Sequence, residues 1–132
     1  MKPITQKHSM GCAVACTAFV AGLKYSEALS LFKNKDNAWL NGYYCNDIIA
    51  ALAKIDITAS FFYIKPHKRK LIYRPHSIVF IKRSKRYPFG HFLVRTHNKQ
   101  WMNPWINLPI ITPAKASFQK RLPGKPIYAI HI

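Results

Sequence analysis

Acidic residues are almost missing from this chain of 132 residues. Four of them, Glu27, Asp36, Asp47 and Asp56, stand against 21 Lys and Arg, a formal net charge of +17. None lies beyond Asp56, so the C-terminal half is purely cationic. Such a surface attracts anions, whether nucleic acid, anionic lipid or an acidic protein, and says nothing about fold. Cysteine is scarce and odd in number: Cys12, Cys16 and Cys45. With no export signal, three cysteines argue against a disulfide framework and for reduced thiols. Long apolar runs are also lacking. Ala13–Leu23 comes closest, but it is short and holds Cys16 and Thr17, so no transmembrane segment is expected. Lys2 and Lys7 are followed by no clean apolar stretch with a small-residue cleavage site. The expected location is therefore the cytoplasm as synthesised, with delivery elsewhere as an effector left open. Cys12 and Cys16 share a helix face and, with Cys45 and a histidine, offer a zinc set, but the spacing is not that of a common zinc module. No metal and no cofactor are expected. There is no internal repeat, no low-complexity tract and no known RNA- or DNA-binding motif.

What is present suits a packed core. Hydrophobic residues make up 49% of the chain and aromatics 14%, and the length is that of one domain, residues 1–132. Cys12 to Gly22 runs through small and apolar residues with no polar face, the pattern of a buried helix stopped by glycine. A second short helix is expected over Ser26–Lys33, capped by Ser26, and a third over Asp47–Lys54, capped by Asn46. Asn34–Tyr44 reads as loop. From Ile57 the pattern changes to β-branched, aromatic or alternating stretches: Thr58–Ile64, Ser77–Lys82, His91–Thr96, Gln100–Met102 and Ile127–Ile132. Prolines punctuate them. Helices first and strands after define an α+β domain, N-terminal helices packed on a C-terminal antiparallel β-sheet.

Four residues carry chemistry in the order Gln6, Cys12, His91, Asn103. Cys12 follows Gly11 on the first turn of the first helix, where free N–H groups and the helix dipole favour a thiolate and a lowered pKa. Cys16 lies one turn deeper on the same face. His91 opens the strand Gly90-His-Phe-Leu-Val-Arg-Thr96, at the rim of a sheet. If the hairpin turns about His97, His91 faces Asn103 and Leu93 faces Trp101. The Asn103 amide oxygen then meets the imidazole N–H and fixes its tautomer. Pro104 ends that strand. Gln6, on the loop before Cys12, is the natural side-chain partner of the Cys12 backbone N–H in holding a developing oxyanion.

The stretches Gln6-Lys-His-Ser-Met-Gly-Cys12-Ala-Val-Ala-Cys16, Gly90-His91-Phe-Leu-Val and Met102-Asn103-Pro104-Trp105 resemble the papain-like cysteine peptidases. Within them the chain looks closest to the bacteriocin-processing (double-glycine leader) peptidase-like domains. The resemblance implies a helical half carrying the cysteine and a β half carrying His and Asn. It implies a thiol protease acting on a peptide or protein substrate through Cys12, His91 and Asn103, with Gln6 as oxyanion donor. The chain departs from that branch at Gly11, where the branch has Asp, at Ala13, where it has Gly, and at Asn103, where it has Asp as a rule and papain has Asn. Double-glycine specificity and a partner transporter are therefore not implied. Deamidation and acyl transfer use the same parts.

The cations concentrate in Lys65-Pro-His-Lys-Arg-Lys70, Arg74 and Lys82-Arg-Ser-Lys-Arg86, with Tyr63, Tyr73 and Tyr87 interleaved. In the hydrolase reading, segment 65–86 lines the cleft and selects an acidic substrate or an acidic protein inhibitor, as in a toxin held in check by its partner. A second reading is a catalytically degenerate basic module binding nucleic acid or an anionic surface.

Overall fold

The computed structural model describes residues 2–110 and 113–132. Helix α1 spans Cys12–Ala21, and its residues from Ala13 to Phe19 are all buried. It stops where expected, at Gly22, whose φ of 70° is the left-handed value a helix C-terminus takes most cheaply as glycine. Helix α2 spans only Tyr25–Leu29. Its start is set by Glu27 rather than by Ser26: the carboxylate reaches back to accept the Lys24 N–H at 2.9 Å. Helix α3 spans Cys45–Ala53. There Asp47 accepts the Tyr44 N–H at 2.7 Å, so the helix begins ahead of Asn46, the expected cap. The stretch read as loop holds a 3-10 turn at Lys35–Ala38.

Six strands follow: β1 (Ser60–Tyr63), β2 (Ile78–Ile81), β3 (His91–Arg95), β4 (Trp101–Asn103), β5 (Ser117–Gln119) and β6 (Pro126–His131). They form one antiparallel sheet in the order β1-β6-β2-β3-β4-β5. Alternation along the strands gives the sheet two apolar faces. On one, Ile78, Phe92, Val94, Met102 and Ile130 pack with α1 and α3. On the other, Val79, Ile81, Leu93, Trp101 and Ala129 pack with Tyr87 and with Ile72. Ile72 belongs to a 3-10 helix, Pro66–Tyr73, within the basic segment. Strand β5 and this helix were not expected. The first is three residues long, and the second hides behind a dense run of cations, although Pro66 at its first turn is a proper helix start.

The β3–β4 hairpin corrects the expected register. Arg95 pairs with Trp101 and Val94 with Met102, so the turn centres on Asn98. Asn103 is thereby two residues away from direct opposition to His91. A shift of two keeps both side chains on the same sheet face, which a shift of one would not.

Candidate active site

Two glycines shape the ends that bear Cys12 and His91. Gly90 has φ of 75°, and a side chain there would run into the Phe80 ring and the Ile81 carbonyl, 2.9 Å from the added carbon. Only glycine lets the chain turn into β3 at His91. Gly11 lies against the Tyr25 hydroxyl, which in turn bonds His8 Nδ1 at 3.0 Å. This contact seats the start of α1.

His91 is buried, and its Nε2 lies 2.8 Å from Asn103 Oδ1. Diagonal neighbours across a hairpin are within reach of side chains of this length. The amide orientation of Asn103 follows from its other partners. Its Oδ1 accepts the Trp105 backbone N–H at 3.0 Å. Its Nδ2 donates to the Tyr87 hydroxyl at 3.1 Å and to Gln119 Oε1 at 2.8 Å. Gln119 is itself oriented, because its Nε2 donates to the Arg121 carbonyl at 2.7 Å. With Oδ1 fixed as an acceptor, His91 Nε2 carries the hydrogen and Nδ1 holds the lone pair. The ring plane is fixed as well: Tyr87 stacks on it with centroids 4.6 Å apart and planes 17° from parallel.

Cys12 is half-buried and lines a cleft of about 860 Å³ together with His91. Phe92, one residue beyond His91, turns its backbone N–H to the Cys12 sulfur. The expected lowering of the Cys12 pKa is overturned. Burial pushes the thiol up to about 11, and the N–H groups of Phe92, Ala13 and Cys12 itself offset this only in part. Cys16, fully enclosed one turn deeper, is raised well above its ordinary value by burial and by the neighbouring Cys12. Burial also brings His91 down to about 4, with the Asn103 bond opposing and the Arg86 charge adding to the fall. Both side chains therefore rest neutral, Cys12 as a thiol and His91 as an imidazole. Desolvation of both groups outweighs the helix dipole, an effect confined to the first turn and worth about 1 kcal/mol.

Gln6 is buried but lies apart from this cleft. Its amide hydrogens go to the carbonyls of His8 at 2.9 Å and Ser9 at 3.2 Å, its Oε1 has no partner, and it lines a second cavity of about 490 Å³. Its own N–H meets the Pro104 carbonyl at 3.3 Å, tying the N-terminal segment to the Asn103-Pro104 turn.

The cleft wall is aromatic rather than basic. Tyr44, Phe61, Phe89 and Tyr128 line it, and Arg83 is the one cation of segment 65–86 that does so among the described residues. The expectation that the basic loops form the cleft is corrected accordingly: the 3-10 helix carrying Lys68, Arg69 and Lys70 covers the other sheet face. Cys45, at the start of α3, also lines the cleft, and burial raises it to about 11. Among the described residues no three His, Cys, Asp or Glu side chains gather as a metal set. Nor is any helix there long and apolar enough to cross a membrane. In the sequence Tyr87 stood only as one of the aromatics interleaved with the basic segment, and Gln119 was not singled out. Tyr87 has a faint signal in standing four residues before the histidine; Gln119 has none.

The α+β fold is that of the papain-like cysteine peptidases. Among solved structures, the peptidase domain of Streptococcus ComA, a bi-functional ABC transporter involved in a quorum sensing pathway, superimposes with a TM-score of 0.54 at 19% sequence identity, over 98% of this chain and 96% of that one. At that identity the likeness is one of fold. No family model matches the sequence, and no curated protein matches it.

Proposed function

We propose that this chain is a thiol-dependent hydrolase that cleaves peptide bonds, with residues 1–132 forming one peptidase domain. The reading rests on the 2.8 Å bond from His91 to Asn103, with Cys12 and His91 bordering one cleft. Cys12 Sγ attacks the scissile carbonyl carbon while its proton passes to His91 Nδ1. Because both groups rest neutral, the proton moves during attack instead of waiting on a preformed ion pair. The Cys12 backbone N–H at the start of α1 meets the oxyanion. For Gln6 to join it, the side chain must leave the second cavity and give up its bonds to both the His8 and the Ser9 carbonyls. Collapse of the tetrahedral intermediate breaks the C–N bond, and His91 returns the proton to the leaving amine. Water, deprotonated by His91, then releases the acyl group from sulfur. Asn103 and Tyr87 position the ring throughout.

The aromatic wall favours a substrate with bulky apolar side chains beside the scissile bond. An acidic inhibitor of the cleft finds one cation there, Arg83. A digest of an unbiased peptide pool, read by mass spectrometry, tests the proposal. The intact chain yields new termini next to apolar residues, and Cys12→Ala and His91→Ala yield none. Equal products from Cys12→Ala refute it.

A further inference from the structure

The cleft leaves most of the positive charge unused, and one cation stands out. Arg95 ends β3 on the same sheet face as His91, about 13 Å along the strand. It is only 9% exposed. Its guanidinium lies over the rings of Tyr73 at 5.0 Å and Trp101 at 5.1 Å. Ring quadrupoles attract a cation so placed, but a guanidinium also carries five N–H donors. Among the described residues neither a carboxylate nor any other side-chain or backbone acceptor takes them, although solvent still reaches the nitrogens. Donors that face solvent without a carboxylate partner are free to meet an incoming anion. Next to it, His76 gives its N–H to the Arg95 carbonyl at 2.8 Å and sets its ring against His97 at 4.9 Å. Its Nε2 is buried without a partner. Arg69, Lys70 and Arg74, on or just after the 3-10 helix that ends at Tyr73, and Lys99, in the β3–β4 turn, are exposed. Tyr73 is 54% exposed, so much of the ring beside Arg95 is open.

We propose that this end of the sheet binds single-stranded nucleic acid, with a phosphate on the Arg95 guanidinium and a base stacked on Tyr73. The surrounding cations supply the general attraction to the backbone, and no acid lies in sequence beyond Asp56 to oppose it. An acidic protein would satisfy the cations and leave the open tyrosine idle. A bilayer surface calls for an apolar helix face between cations, which the 3-10 helix lacks, since its buried Ile72 points into the sheet. The site stands apart from the cleft and does not depend on its chemistry.

The test is fluorescence anisotropy of a labelled short oligothymidylate with the full chain at about 100 mM salt. Tyr73→Ser and Arg95→Gln each weaken binding at least tenfold, the scale of one lost stacked base. Lys33→Gln, which removes one exposed charge elsewhere, changes it less than twofold. Tyr73 is a surface residue, so its variant reports even if Arg95→Gln fails to fold. Absence of binding by the intact chain overturns the proposal. So does a Tyr73→Ser affinity within twofold of Lys33→Gln, which would leave only net charge. Tyr73-dependent binding of polyglutamate or phosphatidylserine vesicles as tight as that of the oligonucleotide overturns it too, by assigning the surface to an acidic protein or a membrane.

Discussion

Replacing Asn103 with alanine removes the centre of the hydrogen-bond network behind His91. Asn103 is fully buried, and four groups lose their partner: His91 Nε2, the Trp105 N–H, the Tyr87 hydroxyl and Gln119 Oε1. The first three belong to buried residues. A buried group left unpaired costs about 1–3 kcal/mol. A water filling the vacated volume can recover part of that. A net loss of about 3 kcal/mol is expected, which lowers the melting temperature of a domain this size by about 10 °C. The effect on activity is larger than the effect on folding, because His91 loses the acceptor that fixes its tautomer. Thermal melts followed by circular dichroism and turnover measured well below the melting point separate the two. Asn103→Asp is the companion variant. It keeps an acceptor for His91 and for the Trp105 N–H, while the Tyr87 hydroxyl and the Gln119 amide can turn to donate. Its charge raises the His91 pKa toward neutrality. Turnover in Asn103→Asp therefore exceeds that in Asn103→Ala at neutral pH. An alanine variant that melts within 2–3 °C of the intact chain, about 1 kcal/mol, and turns over normally would refute the reasoning.

Two further outcomes rest on the same network and a third on Gln6. The folded chain holds His91 at about 4, below its ordinary 6.5, so the unfolded chain takes that proton first as the pH falls. Stability is then lost between pH 6.5 and 4, by about 3 kcal/mol from this group. Urea unfolding across that range measures the slope, and His91→Asn flattens it; an unchanged slope in the variant is the contrary result. Tyr87→Phe keeps the stack on His91 and loses the hydroxyl partner of Asn103, so it costs about 1 kcal/mol in stability, whereas Tyr87→Ala also frees the ring and depresses kcat more than KM. Equal kinetics in the two variants would deny the stack a positioning role. Gln6→Ala removes both bonds that fold the 6–9 loop on itself, and Gln6→Glu replaces the donor by an acceptor facing two carbonyls. Both lower kcat, the second at least as much as the first, and full activity in either excludes an oxyanion role for the side chain.

The parts of the fold set by local chemistry were legible in the sequence. A run of small residues between Gly11 and Gly22 makes α1, a Gly-His before three apolar residues makes β3, and Asn103-Pro104 ends β4. Long-range packing was not. The turn between β3 and β4 centres one residue later than its composition suggests, and the pairing of His91 with Asn103 survived because the error fell on an even shift. Helix starts went to the acids Glu27 and Asp47, which reach back across a turn, over the residues Ser26 and Asn46 that stand at the expected caps. The pKa of Cys12 was misjudged for a physical reason. A helix dipole can be read from neighbours in sequence, whereas desolvation by α1 and β3 together depends on the folded state. Gln119 escaped because its strand is three residues long and lies in a proline-punctuated stretch.

Cys12 and Cys45 offer the most direct test of the central claim, that His91 activates Cys12. Both line the cleft, and burial raises both to about 11, but Cys12 is the more exposed, so the share of its reactivity that reports its histidine is the share lost in His91→Ala. Site-resolved mass spectrometry of alkylation by iodoacetamide at neutral pH measures it. Cys12 is labelled at least tenfold faster than Cys45, with Cys16 slowest, and His91→Ala slows Cys12 while leaving the Cys45 rate unchanged. Equal rates at Cys12 and Cys45 in the intact chain, or a Cys12 rate indifferent to His91→Ala, would contradict it.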